Sequence, residues 1–275
     1  LVTFIDNHDL PRFLSIRNDP ARFRMANLLI MTVRGVPCIY YGSEQLLHDD
    51  TAGGNDPYNR PMMASFDTTA PLYRELKVLA DLRRRNAAVQ KGGMFSRHVT
   101  PDQFVYTRRY MGSAVVVAMN KGNPAVITAD ALPLDDGSYT CLLTGRRFAA
   151  RDGMVKFELA KNEVVVLEKT VPPPKASAVV EFQLNGLATR YGEDICLTGD
   201  CPELGDWDVE RAVRMEYVNQ GTWCIDVPFT ISCDNEIAYK FILKSGAGFQ
   251  RENAMPRTVK IPGSGMARFR DEWQR

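Results

Sequence analysis

The chain of 275 residues sets 34 lysines and arginines against 33 aspartates and glutamates, a formal net charge of +1, and 45% of it is apolar. That balance gives no electrostatic reason to bind nucleic acid or an anionic membrane, and no apolar run is long enough to cross a bilayer. The apolar content is enough for cores in more than one domain. The sequence opens at Leu1 inside a strand-like run, with neither an initiator Met nor a signal-peptide pattern, and reads as the C-terminal part of a longer protein.

In chain order, residues 1–5 favour a strand and run straight into four polar residues, Asp6, Asn7, His8 and Asp9. A parallel strand covered on both faces reads as a continuous apolar run, and in a (β/α)8 barrel the chemistry sits where such strands open at their C-terminal ends. Asp19 and Pro20 then start a helix that Gly35 closes, with Phe23, Ala26, Ile30 and Val33 at helical spacing. Residues 36–45 repeat the change from apolar to polar, which completes a right-handed strand, helix, strand unit. A loop rich in turn formers covers 53–60. A final helix over 71–85 carries Leu72, Leu76, Leu79 and Leu82 on one side, and its terminal Arg83, Arg84 and Arg85 suit the negative end of the helix dipole and solvent.

From residue 88 to 169 the period changes from helix to strand. Short β-prone runs at 104–108, 114–119, 137–143, 154–159 and 163–167 predict an antiparallel sandwich. Pro172, Pro173 and Pro174 stiffen a linker over 170–177. A second β-rich unit follows, with runs at 179–184, 194–199, 222–227, 236–243 and 257–261. Cys38, Cys141, Cys196, Cys201, Cys224 and Cys233 include no Cys-x-x-Cys pair, and the three histidines lie far from them, so no metal site is assigned. Four of the six lie in the last unit, where disulfides and buried free thiols are equally compatible with the sequence.

The run Phe4-Ile5-Asp6-Asn7-His8-Asp9 resembles the strand-seven motif of the α-amylase superfamily of glycoside hydrolases, and residues 2–13 are most similar to its cyclodextrin glucanotransferase branch. The resemblance makes Asp9 the acid that fixes sugar hydroxyls at the cleaved bond, His8 their hydrogen-bonding partner and Asn7 a neighbour in contact with substrate. The chemistry agrees, because an oxocarbenium-like transition state is favoured by fixed negative charge and by hydroxyl hydrogen bonds that tighten as the ring flattens. Residues 36–45 resemble strand eight of the same superfamily. The resemblance places Asp56 and Arg60 on glucose units at the non-reducing side; an ion pair closing the loop is the competing reading. It puts the nucleophile, the acid/base and the calcium ligands upstream of Leu1, and it does not make Glu44 the proton donor.

Glu203 to Asp208, Trp223, 237–241 and Trp273 resemble a starch-binding carbohydrate module. A glucan offers flat apolar sugar faces fringed by hydroxyls, so an exposed ring stacks while polar side chains read the fringe. Trp207, in a turn, is the stacking candidate, with Lys240 and Glu252 as polar partners; Trp223 and Trp273 are expected in the core. Arg251 stands where the family pattern has a second stacking Trp and Pro256 where it has an Asn, and Phe249 offers a substitute ring.

The expected architecture is α/β plus all-β: the end of a (β/α)8 barrel over 1–87, an antiparallel β-sandwich over 88–169, a linker over 170–177 and a starch-binding β-sandwich over 178–275. The expected activity is retaining hydrolysis of α-1,4-glucans. A cyclodextrin glucanotransferase and a starch-binding fragment without catalysis are the alternatives. Such transferases insert an immunoglobulin-like domain for which the linker leaves no room, and this favours an α-amylase. The expected partners are starch and other α-glucans, with neither nucleic acid nor membrane, and the polymeric substrate implies an extracellular or periplasmic location.

Overall fold

Asp19 accepts a hydrogen bond from the Arg22 amide at 3.0 Å, and Pro20 fills the first helical position beside it. These two features start a helix at Pro20–Thr32 (α2) where the sequence places it. A computed structural model describes residues 1–171, 176–190, 192–230 and 236–274. The chain divides into two compact units, Leu1–Val171 and Pro172–Arg275. Much of the expected proline linker, and Cys233, lie outside the described residues.

The first unit opens with β1 (Val2–Thr3), α1 (Phe13–Ile16), α2 (Pro20–Thr32) and β2 (Val36–Pro37), followed by α3 (Pro71–Arg85) and α4 (Ala87–Lys91). β1 and β2 pair in parallel, Val2 against Val36 and Thr3 against Pro37. Each is two residues long, shorter than the strand runs read at 1–5 and within 36–45, and the described residues contain no closed barrel. The physical reason is that a lone strand pair has little to hold it. Val2, Phe4 and Val36 are accordingly exposed.

Eight further strands follow: β3 (Gly93–Val99), β4 (Gln103–Tyr110), β5 (Ser113–Asn120), β6 (Ala125–Ala129), β7 (Gly137–Thr140), β8 (Arg147–Arg151), β9 (Met154–Leu159) and β10 (Glu163–Lys169). They form two antiparallel sheets of order β10-β5-β4-β3 and β6-β9-β8-β7. One face of the first sheet, Tyr106, Val115, Val117, Val164 and Val166, packs against Phe23 and Leu28 of α2 and Leu72 to Leu82 of α3. The other face, Val105, Val116, Ala118 and Val165, packs against Ile127, Phe148 and Phe157 of the second sheet. This accounts for the unbroken burial of β5, which an antiparallel strand with one wet face would not show. The helices and the sandwich therefore share one core across the boundary expected at 87/88.

Buried polar groups tie the layers together. The Arg108 guanidinium donates to the carbonyls of Thr32 and Gly92, and Tyr106 and Thr32 share a hydroxyl hydrogen bond of 2.6 Å. Arg83 donates to the carbonyls of Met31 and Gly35 at the end of α2, and Arg85 pairs with Glu168. The arginine run is thus partly internal wiring and not only a solvated helix end.

The second unit contains β11 (Ala178–Asn185), β12 (Asp194–Gly199), β13 (Val213–Arg214), β14 (Glu216–Asn219), β15 (Thr222–Phe229), β16 (Glu236–Ser245), β17 (Gly248–Arg251), β18 (Arg257–Lys260) and β19 (Gly265–Glu272). One sheet has the order β14-β15-β11-β19, with β19 parallel to β11; the other has the order β13-β12-β16-β17, with β18 also paired to β16. Phe182 of the first sheet meets Tyr239 of the second edge to face at 4.9 Å. The five described cysteines are free thiols. Burial pushes those of Cys201 and Cys224 up to about 11, which keeps them protonated and unreactive near neutrality.

Candidate active-site rim and glucan surface

At the end of β1 the four polar residues separate into two roles. Asp6 is buried, and its Oδ2 accepts from the Phe13 amide at 3.0 Å, so it starts α1 and does not line the rim as expected. Asn7 Oδ1 accepts from the amides of Asp9 and Leu10 at 2.9 and 3.1 Å, a side-chain turn that lifts the next two residues outward. His8 and Asp9 are raised into solvent, with side chains 65% and 73% exposed, and His8 Nε2 lies 3.3 Å from Asp9 Oδ1.

The loop after β2 reaches back to this tip. Asn59 is fully buried and donates from Nδ2 to the His8 carbonyl at 2.6 Å. The Asn59 carbonyl in turn accepts from Arg12 Nε at 3.0 Å. Arg12 is itself buried, its guanidinium stacked 3.9 Å from the Tyr40 ring centroid and 4.7 Å from that of Tyr41. Burial, reinforced by Tyr41, pushes the Tyr40 phenol above its ordinary value, against the pull of Arg12 and Arg60. Asp56 and Arg60 flank this anchor and form an ion pair whose side chains both stay well exposed. The competing reading of that pair as a loop clasp is thus realised, and its outer oxygens and nitrogens remain open to hydroxyls. Glu44 stands half-buried in the short turn Ser43–Gln45.

Arg12, Tyr40 and Asn59 escaped the reading of the sequence. Each looks ordinary alone: an arginine before a helix, a strand tyrosine and an asparagine in a turn-rich loop. Only contacts across 47 and 51 residues bring them together.

In the second unit Lys240 and Phe249 lie on strands of the sheet β13-β12-β16-β17, Glu252 directly follows β17, and Trp207 lies in the turn after β12. After the turn Pro202–Leu204 the backbone passes through Gly205, Asp206 and Trp207 with φ of 82°, 52° and 61°. The left-handed region suits Gly205 but costs an L residue about 1 kcal/mol or more, and such strain collects at functional positions. The conformation persists because the Trp207 amide donates to the Gly199 carbonyl at 2.7 Å, the Asp206 amide donates to the Cys201 carbonyl at 3.1 Å, and Asp206 pairs with Arg211. The Trp207 ring is 37% exposed, whereas Trp223 is 2% exposed and belongs to the core as expected. Trp273 is only half-buried and follows β19, its amide donating to the Asn185 carbonyl.

Lys240 stands opposite Thr198, one position from the Gly199 that holds Trp207. Phe249 lies exposed on β17 two residues from Arg251, whose guanidinium is 5.5 Å from its ring centroid. Glu252 requires a correction. It is 3% exposed, accepts from the Phe241 amide at 3.0 Å and pairs through both oxygens with Arg257. Arg257 also pairs with Asp271, which accepts from the Tyr239 hydroxyl. With its carboxylate consumed inside the sheet, Glu252 has a structural role and not a sugar-reading one. Among the described residues no group of three metal-ligating side chains is gathered, and no helix is long and apolar enough to cross a membrane.

Residues 1–70 match the family model of the α-amylase catalytic domain, and residues 177–268 match that of the starch binding domain. The chain is thus similar at one end to a segment of the α-amylase catalytic domain and at the other to a starch-binding domain. Among curated proteins it is similar to the cyclomaltodextrin glucanotransferase of Bacillus sp. (strain 38-2), 29% identical over 371 residues that cover 99% of this chain and 51% of the relative. The chain spans about half the length of that relative, and the matched span is longer than the 275 residues here, so the relative holds sequence that this chain lacks. Among solved structures it is similar to CldA, described as the first cyclomaltodextrin glucanotransferase with a three-domain ABC distribution, with a TM-score of 0.59 and 42% identity over 62% of this chain and 36% of that one. The gamma-CGTase from alkalophilic Bacillus clarkii covers all of this chain and 54% of its own, with a TM-score of 0.57 at 24% identity, a likeness of fold.

Proposed function

We propose that this chain supplies the substrate-gripping rim and the starch anchor of a retaining enzyme acting on α-1,4-glucans. The observation that carries the reading is the convergence of two separate segments: Asn59 ties the loop of Asp56 and Arg60 directly to the backbone of the His8–Asp9 tip. Asp9 and His8 would hold the hydroxyls of the sugar at the cleaved bond, and their hold would tighten as the ring flattens toward the oxocarbenium-like state. Asp56 and Arg60, with Asn7 shaping the tip, would grip neighbouring glucose units. A retaining mechanism needs two carboxyl groups about 5 Å apart, one as nucleophile and one as acid/base. Asp9 is neighboured here by a histidine, so that pair would come from elsewhere in the complete protein, and the 275-residue chain alone would bind without cleaving. Trp207, Lys240 and the exposed Phe249 would hold granular starch, and such a substrate favours an extracellular or periplasmic enzyme.

Transfer to a glucan acceptor is the second reading, favoured because the curated relative matching 99% of the chain is a glucanotransferase. Chromatography of the products that the complete protein forms from soluble starch tests both readings. Linear maltooligosaccharides identify a hydrolase and cyclic dextrins a transferase. If neither product forms, only the starch-binding role stands.

A further inference from the structure

We infer that Arg12, acting through Asn59, is a positioning residue that holds the His8–Asp9 tip in register with the Asp56 and Arg60 loop. The inference rests on the proposed function for its catalytic meaning, but its geometry stands alone. A buried guanidinium is expensive, and replacing a buried charge by a well-packed apolar side chain is often neutral or stabilising. Both terminal nitrogens of Arg12 lack a hydrogen-bond partner among the described residues, so ion pairing does not explain why the charge is there.

What the group contributes is direction. Stacking on Tyr40 and Tyr41 fixes the guanidinium plane against the segment that follows β2. The one Nε–H then aims at the carbonyl of Asn59, between Asp56 and Arg60 on one side and the tip on the other. Asn59 Nδ2 completes the link by fixing the carbonyl of His8, the residue before Asp9. An aliphatic side chain could fill the same volume but would orient neither the loop nor the tip. Precision of this kind matters because a misplacement of about 1 Å costs on the order of 100-fold in rate.

Asn59→Asp tests the inference because it removes the donor to the tip with almost no change in side-chain shape. It replaces the amide donor facing the His8 carbonyl with a carboxylate oxygen and leaves the Asn59 backbone carbonyl in place for Arg12. In the complete protein the expected result is a variant that still folds, with a lower unfolding midpoint, kcat for starch lower by about 10- to 100-fold, and KM changed by less than about threefold. Arg12→Leu, which removes the buried charge and the strut together, should show the same loss of kcat. In the 275-residue chain itself, hydrogen exchange at the Asp9 and Leu10 amides should accelerate at least about tenfold in either variant, because the Asn7 turn loses its upper support. Wild-type kcat and wild-type exchange in the folded variants overturn the inference. Unfolding of both variants also overturns it, since the pair would then be core structure. Accelerated exchange with unchanged kcat, alongside an Asp9→Asn variant that stays active, keeps the strut and sinks the functional reading instead.

Discussion

The proposed rim of the first unit and the proposed glucan surface of the second present their side chains to solvent by opposite means. His8 and Asp9 are exposed on an unstrained turn, and what fixes them lies buried beneath and comes from distant segments. Trp207 is fixed by its own backbone, forced into a left-handed conformation by neighbours a few residues away. Long-range support suits chemistry, where a carboxylate must meet a reacting atom within fractions of an ångström. Local strain suffices for a ring that needs only to present a face to a polymer.

Substitutions sharpen this contrast. The largest effect is expected at Asp9: Asp9→Asn in the complete protein should reduce kcat on starch by about 100- to 1,000-fold, the scale of losing one transition-state electrostatic contact, with its unfolding midpoint unchanged because the side chain is exposed. A near-wild-type rate would remove Asp9 from the mechanism. Glu252→Ala should do the reverse, costing about 3 kcal/mol of stability in denaturant unfolding of the second unit by stranding Arg257 and the Phe241 amide. If stability holds and starch retention alone falls, Glu252 reads sugar after all. The smallest effect is expected at Trp207: Trp207→Gly puts a residue that tolerates the left-handed conformation at that position and should weaken retention on insoluble starch several-fold. Equal retention of variant and wild type would transfer the stacking role to Phe249.

Which parts were legible in the sequence follows from the range of the interactions. α2 and α3 were readable from local signals, Asp19 with Pro20 at one start and four leucines at helical spacing in the other. β12 and β9 carry enough β-branched and apolar residues to declare themselves. β17 and β19 do not: every side chain of β17 is exposed, and β19 alternates with charged residues, so neither has an apolar run to detect. The exposed tip residues were legible because four polar residues follow directly on an apolar strand run. Arg12 and Asn59 were not, because a buried strut has no local pattern. Glu252 was misplaced for a related reason, since nothing in the sequence near it announces that Arg257 will turn inward to claim it.

The valine-rich sheet β10-β5-β4-β3 is covered by helices on one face and by strands on the other, and this sets where the gene can be cut and rejoined. A chimera joined at residue 87 would leave Tyr106, Val115, Val117, Val164 and Val166 bare on one side, a sticky surface that invites aggregation on expression. A join at 171 leaves that sheet fully clothed. The exchangeable cassette is therefore the helical pair together with both sheets, and a starch anchor can be added or removed beyond it without disturbing that core.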